Sequence, residues 1–563
     1  MAEDFMTAAV KRVEAQFEKS GVSENCAAFE RKENQIEMRD GVKLHTIYYF
    51  PKEDTAEEKT YPVILTRTCY PGNDRIHRAY GEGLARRGYV YVYQYCRGRE
   101  NSEGKWEPNI NERKDGIDTM NYLVEQPWCE ILGYWGHSYT SMTGWAFADA
   151  AEGKVAAMFL EDYGTDRFTS AYEKGCFRHD ILTAWSMENA EKPVNADYRE
   201  SCRYLPQIEV DEALWGQRVP SYREYITSPN PDAALWQTGW WKQLREIPSK
   251  TKVPIYLLSG WYDHHHGSSM KTWERLNEET KQHSWLEIGA WNHFFQICLE
   301  GKEVLHPQNE EIPKMLEWFE LTLKQKEIPT QRIRAYEIGA DRWMDTVSDG
   351  LGEEGTAGNM TLYLDEKALR ADAPEREKTR NYTFDPATPV ESIGGEALLH
   401  TMPQIGSHLQ PEPDYREDVL SFVSEPLEET FTLNGKASVR LFVESDCEDT
   451  AFTAKIMEVT PEGKAYNIRS SIATLEQGKT EAGAYEAGSV AEVQITMWNI
   501  VYTILKGSRI RVDVSSSDFP QYHVHSNQKG LWSEKTENKI AHQTIHMGGK
   551  AASCVILPLM KKQ

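Results

Sequence analysis

The sequence predicts an α/β core that is interrupted by a helical segment and followed by a separate all-β domain. In the first half, apolar runs of strand length alternate with stretches of helical periodicity, which favours a parallel sheet covered on both faces. Charged and aromatic residues replace these runs from about Thr165 to Ser249, and period-two strands dominate after Trp343. The predicted units are a core in two parts, an inserted helical cap and a C-terminal β domain, with the bounds 1–164 and 250–345, 165–249, and 346–563.

The core strands are predicted from short apolar runs that are separated by helical stretches. Four runs have the length and composition of buried strands: 62–65, 89–93, 155–160 and 253–258. Apolar residues at helical spacing predict one helix at 117–124, which Pro127 stops, and another at 312–323. The Asp40-Gly41 pair is a hairpin signal, so an antiparallel ribbon is predicted to lead into the sheet.

The inserted segment is rich in tryptophan, at positions 185, 215, 236, 240 and 241. We interpret it as a helical cap over the sheet, and a helical layer of the same core is the alternative. Farther on, alternating apolar positions at 360–364, 439–443 and 510–514 predict an all-β sandwich of about 200 residues. The acidic, glycine-containing stretch 348–356 is its predicted linker or first loop.

The composition excludes several kinds of partner. The chain has 63 basic and 87 acidic residues, a formal net charge of -24, which repels phosphate backbones and anionic membranes; neither nucleic acid nor a membrane is expected. It contains no apolar run of membrane-spanning length and no secretory signal, so we expect a cytoplasmic protein. Nine scattered cysteines without a C-x-x-C spacing predict buried, reduced thiols.

Ser138 lies between a strand-like apolar run and a helix start of small residues, in the order Gly136-His-Ser-Tyr-Thr-Ser141. This is the layout of a nucleophile elbow, in which a sharp strand-to-helix turn presents the serine and small neighbours leave room for the packed helix. An ordinary turn with a capping serine is the alternative, because serine is a favoured N-cap residue.

An acid and a base follow this serine in the order that a hydrolase triad requires. Asp263 comes after the strand-like run 253–260, and His293 comes after the next run, 284–289. The imidazole would take the serine proton while the carboxylate fixes its tautomer. The alternative for Asp263 is a turn residue, and the alternative for His293 is a hydrogen-bonded polar residue near the core. The matching order and the strand context of the candidates count against both alternatives.

Two donors for an oxyanion hole are predicted beside Ser138. Tyr70 follows an early strand, at the place where this kind of site usually finds such a donor, and could supply its hydroxyl. The backbone N–H of Tyr139 would be the second donor.

Ordered motifs along nearly the whole chain point to one family. They lie at 38–44, 67–70, 97–106, 126–129, 136–139, 260–263 and 291–293, with β-domain segments at 394–395, 418–420, 445–450 and 515–520. Together they resemble the CocE/NonD hydrolases, which include bacterial cocaine esterase, α-amino-acid ester hydrolases and glutaryl acylases and are related to X-prolyl dipeptidyl aminopeptidases.

The resemblance implies an α/β-hydrolase core with an inserted helical cap and a C-terminal jelly-roll domain. It also implies that Ser138 is the nucleophile, Asp263 the acid and His293 the base. Tyr70 and the Tyr139 amide would form the oxyanion hole.

The chain departs from the family pattern at three places. Ser141 replaces the last glycine of G-x-S-Y-x-G, and Gln94-Tyr-Cys96 stands where Gln-Asp usually precedes the R-G-R loop. His264-His-His266 stands where α-amino-acid ester hydrolases look to carry acidic residues that help hold the substrate ammonium. Histidines cannot neutralise a buried ammonium as carboxylates do, so an α-amino substrate is less expected.

The histidine turn leaves two interpretations open. His264, His265 and His266 would form a solvated loop rich in hydrogen bonds, which we favour, or would contact the substrate. Adjacent histidines point in different directions and lack an i, i+4 partner, so neither a metal nor a cofactor is predicted. Trp261 and Trp291, with the cap tryptophans, are candidates for the wall of an apolar acyl pocket, and core packing is the alternative.

The leading hypothesis is a serine hydrolase that cleaves an ester or amide bond of a small-molecule substrate through an acyl-enzyme. One alternative is an X-prolyl dipeptidyl aminopeptidase, which needs an acidic cluster for the peptide amino terminus. The second is a catalytically inert binding protein that uses the jelly-roll. The sequence leaves the acyl and leaving groups open, and it is compatible with a homo-oligomer.

Overall fold

A computed structural model describes residues 5–52, 59–345, 356–397, 402 and 404–561 of the chain. The predicted linker at 348–356 lies outside this part of the chain, except for its last residue. The helices are α1 (Phe5–Lys19), α2 (Asp74–Arg86), α3 (Glu112–Val124), α4 (Tyr139–Trp145), α5 (Arg167–Ala171), α6 (Ala184–Glu188), α7 (Tyr198–Arg203), α8 (Val210–Ala213), α9 (Pro220–Ile226), α10 (Ala234–Gln237), α11 (Gly239–Lys250), α12 (His266–Arg275), α13 (Glu278–Lys281), α14 (Glu311–Phe319) and α15 (Leu475–Gly478).

The strands of the first half are β1 (Ala28–Glu37), β2 (Lys43–Lys52), β3 (Tyr61–Thr68), β4 (Val90–Tyr95), β5 (Cys129–His137), β6 (Val155–Glu161), β7 (Tyr172–Glu173), β8 (Cys176–Phe177), β9 (Ile255–Tyr262), β10 (Trp285–Asn292), β11 (Arg332–Glu337) and β12 (Arg342–Asp345). Those of the second half are β13 (Thr356–Asp365), β14 (Ala368–Arg370), β15 (Lys378–Phe384), β16 (Leu420–Ser424), β17 (Phe431–Gly435), β18 (Ser438–Ser445), β19 (Ala451–Val459), β20 (Ala465–Thr474), β21 (Ala491–Thr496), β22 (Ile500–Ile504), β23 (Arg509–Ser515), β24 (Ala541–Met547) and β25 (Cys554–Met560).

The first half is built on one sheet of ten strands in the order β1-β2-β4-β3-β5-β6-β9-β10-β11-β12. The strands from β4 to β11 pair in parallel, and the outer strands pair antiparallel. Two clusters of buried apolar side chains cover it, as a sheet buried on both faces requires. The four predicted core strands are confirmed, as is the hairpin between β1 and β2, where Gly41 has φ +84°.

The segment between β6 and β9 is helical, as predicted, and contains α5 to α11 together with the short β7-β8 hairpin. Its tryptophans pack mostly inward, and Trp215, Trp236 and Trp241 are buried. The amphipathic α11 begins at Gly239 and ends at Lys250, with Leu244 buried on its inner face. Core packing therefore explains most of these indoles.

The second half forms a separate, largely antiparallel β structure of thirteen strands, in which only β14 and β16 pair in parallel among the described strands. The predicted strands at 360–364, 439–443 and 510–514 are confirmed within β13, β18 and β23. It packs directly on the inserted segment. Arg178 donates to the carbonyl of Glu396 over 2.9 Å, and the Phe177 N–H donates to His523 Nδ1 over 2.8 Å.

No helix in the described ranges is long and apolar enough to cross a bilayer. The cytoplasmic location and the absence of nucleic-acid and membrane partners stay predictions.

Buried histidines should make the fold acid-sensitive. Burial lowers the pKa of His77 and of His179 from 6.5 to about 3. Because the unfolded chain binds these protons below pH 6.5 and the folded chain does not, stability is full above pH 6.5 and falls as the pH drops towards 3. Each histidine contributes up to about 1.4 kcal/mol per pH unit to this loss.

Urea unfolding between pH 7 and pH 4 measures the effect. His179→Asn, whose amide lies at the position of Nδ1 and can keep the hydrogen bond to Thr183, should flatten the pH dependence. An unchanged slope in this variant would contradict the assignment.

Candidate active site

The turn after β5 holds Ser138 in strained backbone. The serine has φ 57° and ψ −124°, a left-handed conformation that L-residues rarely adopt. Its N–H donates to the carbonyl of Glu161 over 3.0 Å, which fixes the turn to the end of β6. The side chain is thereby presented between β5 and α4, as the elbow interpretation predicts.

Gly136 is required by this turn, because a Cβ at its position would lie 2.2 Å from the carbonyl oxygen of Thr140. We expect Gly136→Ala to destabilise the protein by about 1–3 kcal/mol and to reduce hydrolysis further by displacing Ser138. Thermal unfolding and kcat measure the two effects. The matched control is Ser141→Gly, which removes a buried hydroxyl without a hydrogen bond in the described chain and should keep both values near wild type. Equal behaviour of the two variants would contradict this role of Gly136.

Three side chains meet at the carboxyl ends of three parallel strands. His293, which follows β10, places Nε2 2.9 Å from Ser138 Oγ and Nδ1 2.5 Å from Asp263 Oδ2. Asp263 follows β9, and its other oxygen accepts the His265 N–H over 2.6 Å. Asp263 is fully buried and His293 is 3% exposed. With Nδ1–H donating to the carboxylate, the Nε2 lone pair faces the serine hydroxyl, which is the arrangement that proton abstraction needs.

The two predicted oxyanion donors lie beside Ser138. The Tyr70 hydroxyl accepts a hydrogen bond from Trp185 Nε1 over 3.4 Å. The same hydroxyl interacts with the side chain of Ser138. Burial raises the pKa of its hydroxyl, so the proton is retained for donation. Tyr139 is the first residue of α4, where a backbone N–H has no acceptor within the helix. Its ring stacks on Trp185 at 5.8 Å and its hydroxyl donates to Glu112 over 2.7 Å.

The histidine turn is buried, so the favoured expectation of a solvated loop is wrong. His264, His265 and His266 are 2%, 4% and 0% exposed. The reason is that the inserted segment and the β domain both cover the turn: His265 Nδ1 is 3.0 Å from Ser170 Oγ, and the His266 ring lies 6.4 Å from that of Trp498.

Burial also lowers the pKa of all three imidazoles well below the usual value, so they are neutral near pH 7. Of these three, His264 lies nearest to His293, with ring centroids 4.2 Å apart, and the ring of His265 is 5.8 Å away.

Trp261 and Trp291 lie in the hydrophobic core, as the alternative interpretation, core packing, predicts. Trp261 Nε1 donates to the carbonyl of Tyr336 over 2.7 Å, and Trp291 packs against Gly260 and Gly289. Both are fully buried. The indole that contacts the two candidate oxyanion residues, Tyr70 and Tyr139, is that of Trp185 in α6.

Sequence reasoning missed His137 and Asp162, which pack directly behind the base. His137 Nε2 is 2.8 Å from the carbonyl oxygen of His293 and 3.5 Å from Asp162 Oδ2. Burial near Asp263 raises the pKa of Asp162 well above its usual value, while burial lowers the pKa of His137. A sequence signal for Asp162 was available, because this residue directly follows β6. In the sheet, β6 lies between β5 and β9, which precede Ser138 and Asp263.

Comparisons with known proteins agree with this fold and cover nearly the whole chain. The model of the X-Pro dipeptidyl-peptidases (S15 family) matches residues 40–295, and that of the X-Pro dipeptidyl-peptidase C-terminal non-catalytic domain matches residues 330–556. Cocaine esterase of Rhodococcus sp. (strain MB1 Bresler) is 27% identical over 574 residues, covering 94% of this chain and 98% of that protein.

Two solved structures share the fold. An α-amino acid ester hydrolase has a TM-score of 0.81 at 21% identity, covering 95% of this chain and 97% of its own. An aminopeptidase from the marine sediment archaeon Thaumarchaeota archaeon has a TM-score of 0.80 at 21% identity, covering 95% and 96%. The fold and the similar proteins define the class of this protein as a serine hydrolase. The chain belongs to the CocE/NonD hydrolases, as its motifs predicted.

Proposed function

We propose that the chain hydrolyses an ester or amide of a small acyl substrate through an acyl-enzyme, on a Ser-His-Asp triad. The observation that carries this proposal is the pair of hydrogen bonds made by His293, at 2.9 Å to Ser138 and 2.5 Å to Asp263. Strained presentation of the serine and two adjacent oxyanion donors support it. The strand order of the first half supports an α/β-hydrolase core, and the antiparallel second half supports a jelly-roll.

Catalysis would proceed in two halves. Ser138 Oγ attacks the substrate carbonyl while His293 Nε2 takes its proton, and Asp263 stabilises the imidazolium that forms. The Tyr70 hydroxyl and the Tyr139 N–H hold the developing oxyanion. The imidazolium then protonates the leaving group, and the neutral imidazole activates the water that cleaves the acyl-enzyme.

The histidine turn favours substrates without a free α-amino group. Three buried, neutral imidazoles follow the acid in place of carboxylates, so this turn offers no negative charge to a substrate ammonium. We therefore expect uncharged acyl esters to be turned over faster than amino-acyl esters or Gly-Pro anilides.

Two measurements test this function. A fluorophosphonate probe should label the wild-type protein and fail to label Ser138→Ala; no labelling, or equal labelling, would reject the triad. A panel of chromogenic esters and anilides then compares uncharged with amino-bearing acyl groups. Faster turnover of Gly-Pro substrates would favour the X-prolyl aminopeptidase alternative.

Removal of the Tyr70 hydroxyl tests the oxyanion hole separately. We expect Tyr70→Phe to lower kcat by about 10²–10³ with little change in KM, because the hydroxyl is needed mainly when negative charge develops. Steady-state kinetics on an acyl ester measure both constants. Tyr163→Phe, which removes another buried hydroxyl, is the control. A Tyr70→Phe effect on KM alone would place the hydroxyl in substrate binding.

A further inference from the structure

A second histidine–carboxylate pair lies directly behind the triad and has no role in the mechanism above. His137 ends β5 and stacks on His293 with ring centroids 4.7 Å apart. Asp162 follows β6, and its Oδ2 is 3.5 Å from His137 Nε2. Because β5, β6, β9 and β10 are neighbours in the sheet, their carboxyl ends bring this pair and the triad together.

The Asp162 carboxylate has few partners for a buried acid beyond the 3.5 Å contact with His137. It is fully buried, and neither oxygen accepts a hydrogen bond of ordinary geometry from the residues that the structure describes, although the Gly260 N–H is near. A buried carboxylate is stable only when it is protonated, paired or bound to a cation. Asp263 and Glu311 add negative charge around it, which favours a cation.

The geometry suits a transition metal. The ligand atoms of His137, Asp162 and His293 all lie within 4.8 Å of one another, and Asp263, His264 and His293 form an overlapping trio. Tetrahedral zinc with bonds of about 2.0–2.2 Å sets its ligand atoms about 3.4 Å apart, which the His137–Asp162 distance already matches. Imidazole and carboxylate are ligands that Zn²⁺ accepts. The side chain of His137 is 25% exposed, so the site borders solvent on the His137 side.

We propose that His137, Asp162 and His293 bind a divalent transition metal, and that its binding inhibits the enzyme. Either ring nitrogen of His293 that takes the ion must give up its present hydrogen bond, to Ser138 or to Asp263. His137 Nε2 must likewise give up its 2.8 Å contact with the His293 carbonyl oxygen. The ion would therefore remove the base from the triad. Binding is independent of the proposed function, whereas inhibition rests on it.

Calorimetric titration of Ser138→Ala protein with ZnCl₂ tests binding without turnover. We expect one Zn²⁺ per chain at this site, and His137→Asn or Asp162→Asn in the same background should weaken it about ten- to a hundredfold. The matched control is His306→Asn, because His306 pairs with Asp341 at 3.1 Å on the surface; this change should leave the affinity at the buried site unaltered. Unaltered affinity in both test variants would overturn the proposal.

Two measurements on the unmutated protein keep the test independent of whether these variants fold. Zinc should inhibit ester hydrolysis, with recovery after EDTA, and Mg²⁺ at the same concentration should not, since it prefers oxygen ligands in octahedral geometry. Crystals soaked in Zn²⁺ should give an anomalous peak bonded to His137 and His293. Peaks only elsewhere would overturn the site. Failure of fluorophosphonate labelling with intact zinc binding would reject the proposed function alone.

Discussion

Replacement of Ser138 by alanine should reduce kcat by about 10⁵–10⁶, leaving only the activity that binding and the oxyanion donors support. The physical reason is that His293 Nε2, 2.9 Å from the hydroxyl, then has no nucleophile to activate. Single-turnover and steady-state hydrolysis of a chromogenic ester measure the loss.

Ser141→Ala provides the control for this experiment. It removes a buried serine hydroxyl three residues along the same turn, which makes no hydrogen bond within the described ranges, and should leave turnover near wild type. A comparable loss in both variants would point to a collapsed turn instead of a missing nucleophile.

Asp263→Asn should lower kcat by about 10⁴ while the fold is retained. An asparagine oriented with its N–H₂ towards His293 favours the wrong imidazole tautomer, and it leaves the imidazolium without a counter-charge. Kinetics over a range of pH measure the loss, and near-UV circular dichroism checks the fold.

Asp162→Asn is the matched control, because it changes the neighbouring buried carboxylate in the same way. Burial raises its pKa, and neither of its oxygens makes a hydrogen bond of ordinary geometry in the described chain, so the change leaves the hydrogen bond between Asp263 and His293 in place. We expect a far smaller loss. If the two variants lost activity equally, Asp162 would have to be counted with the triad.

Much of the fold follows from hydrophobic patterning in the sequence. Strands buried on both faces, such as β9 with every residue buried, read as continuous apolar runs. The candidate elbow, acid and base are predicted because each follows such a run. The order of the strands is therefore enough to predict that Ser138, Asp263 and His293 lie close together.

The remainder depended on contacts between distant segments. The prediction of a solvated histidine turn is wrong, because nothing near His265 in the sequence shows that Ser170 and the β domain cover it. Asp162 was missed for the same reason, since its proximity to His137 arises from the packing of neighbouring strands. Burial of this kind is a property of tertiary structure and leaves no local periodicity.

The cover over the histidine turn has a consequence for the order in which the enzyme is completed during synthesis. Gly267, four residues after Asp263, packs so closely on Trp498 that a Cβ there would lie 2.3 Å from its indole. The turn after Asp263 is thus packed against Trp498, which is synthesised more than two hundred residues later. A ribosome-bound chain that ends before Trp498 should contain Ser138, Asp263 and His293 and still be inactive, and activity should appear only after Trp498 has emerged.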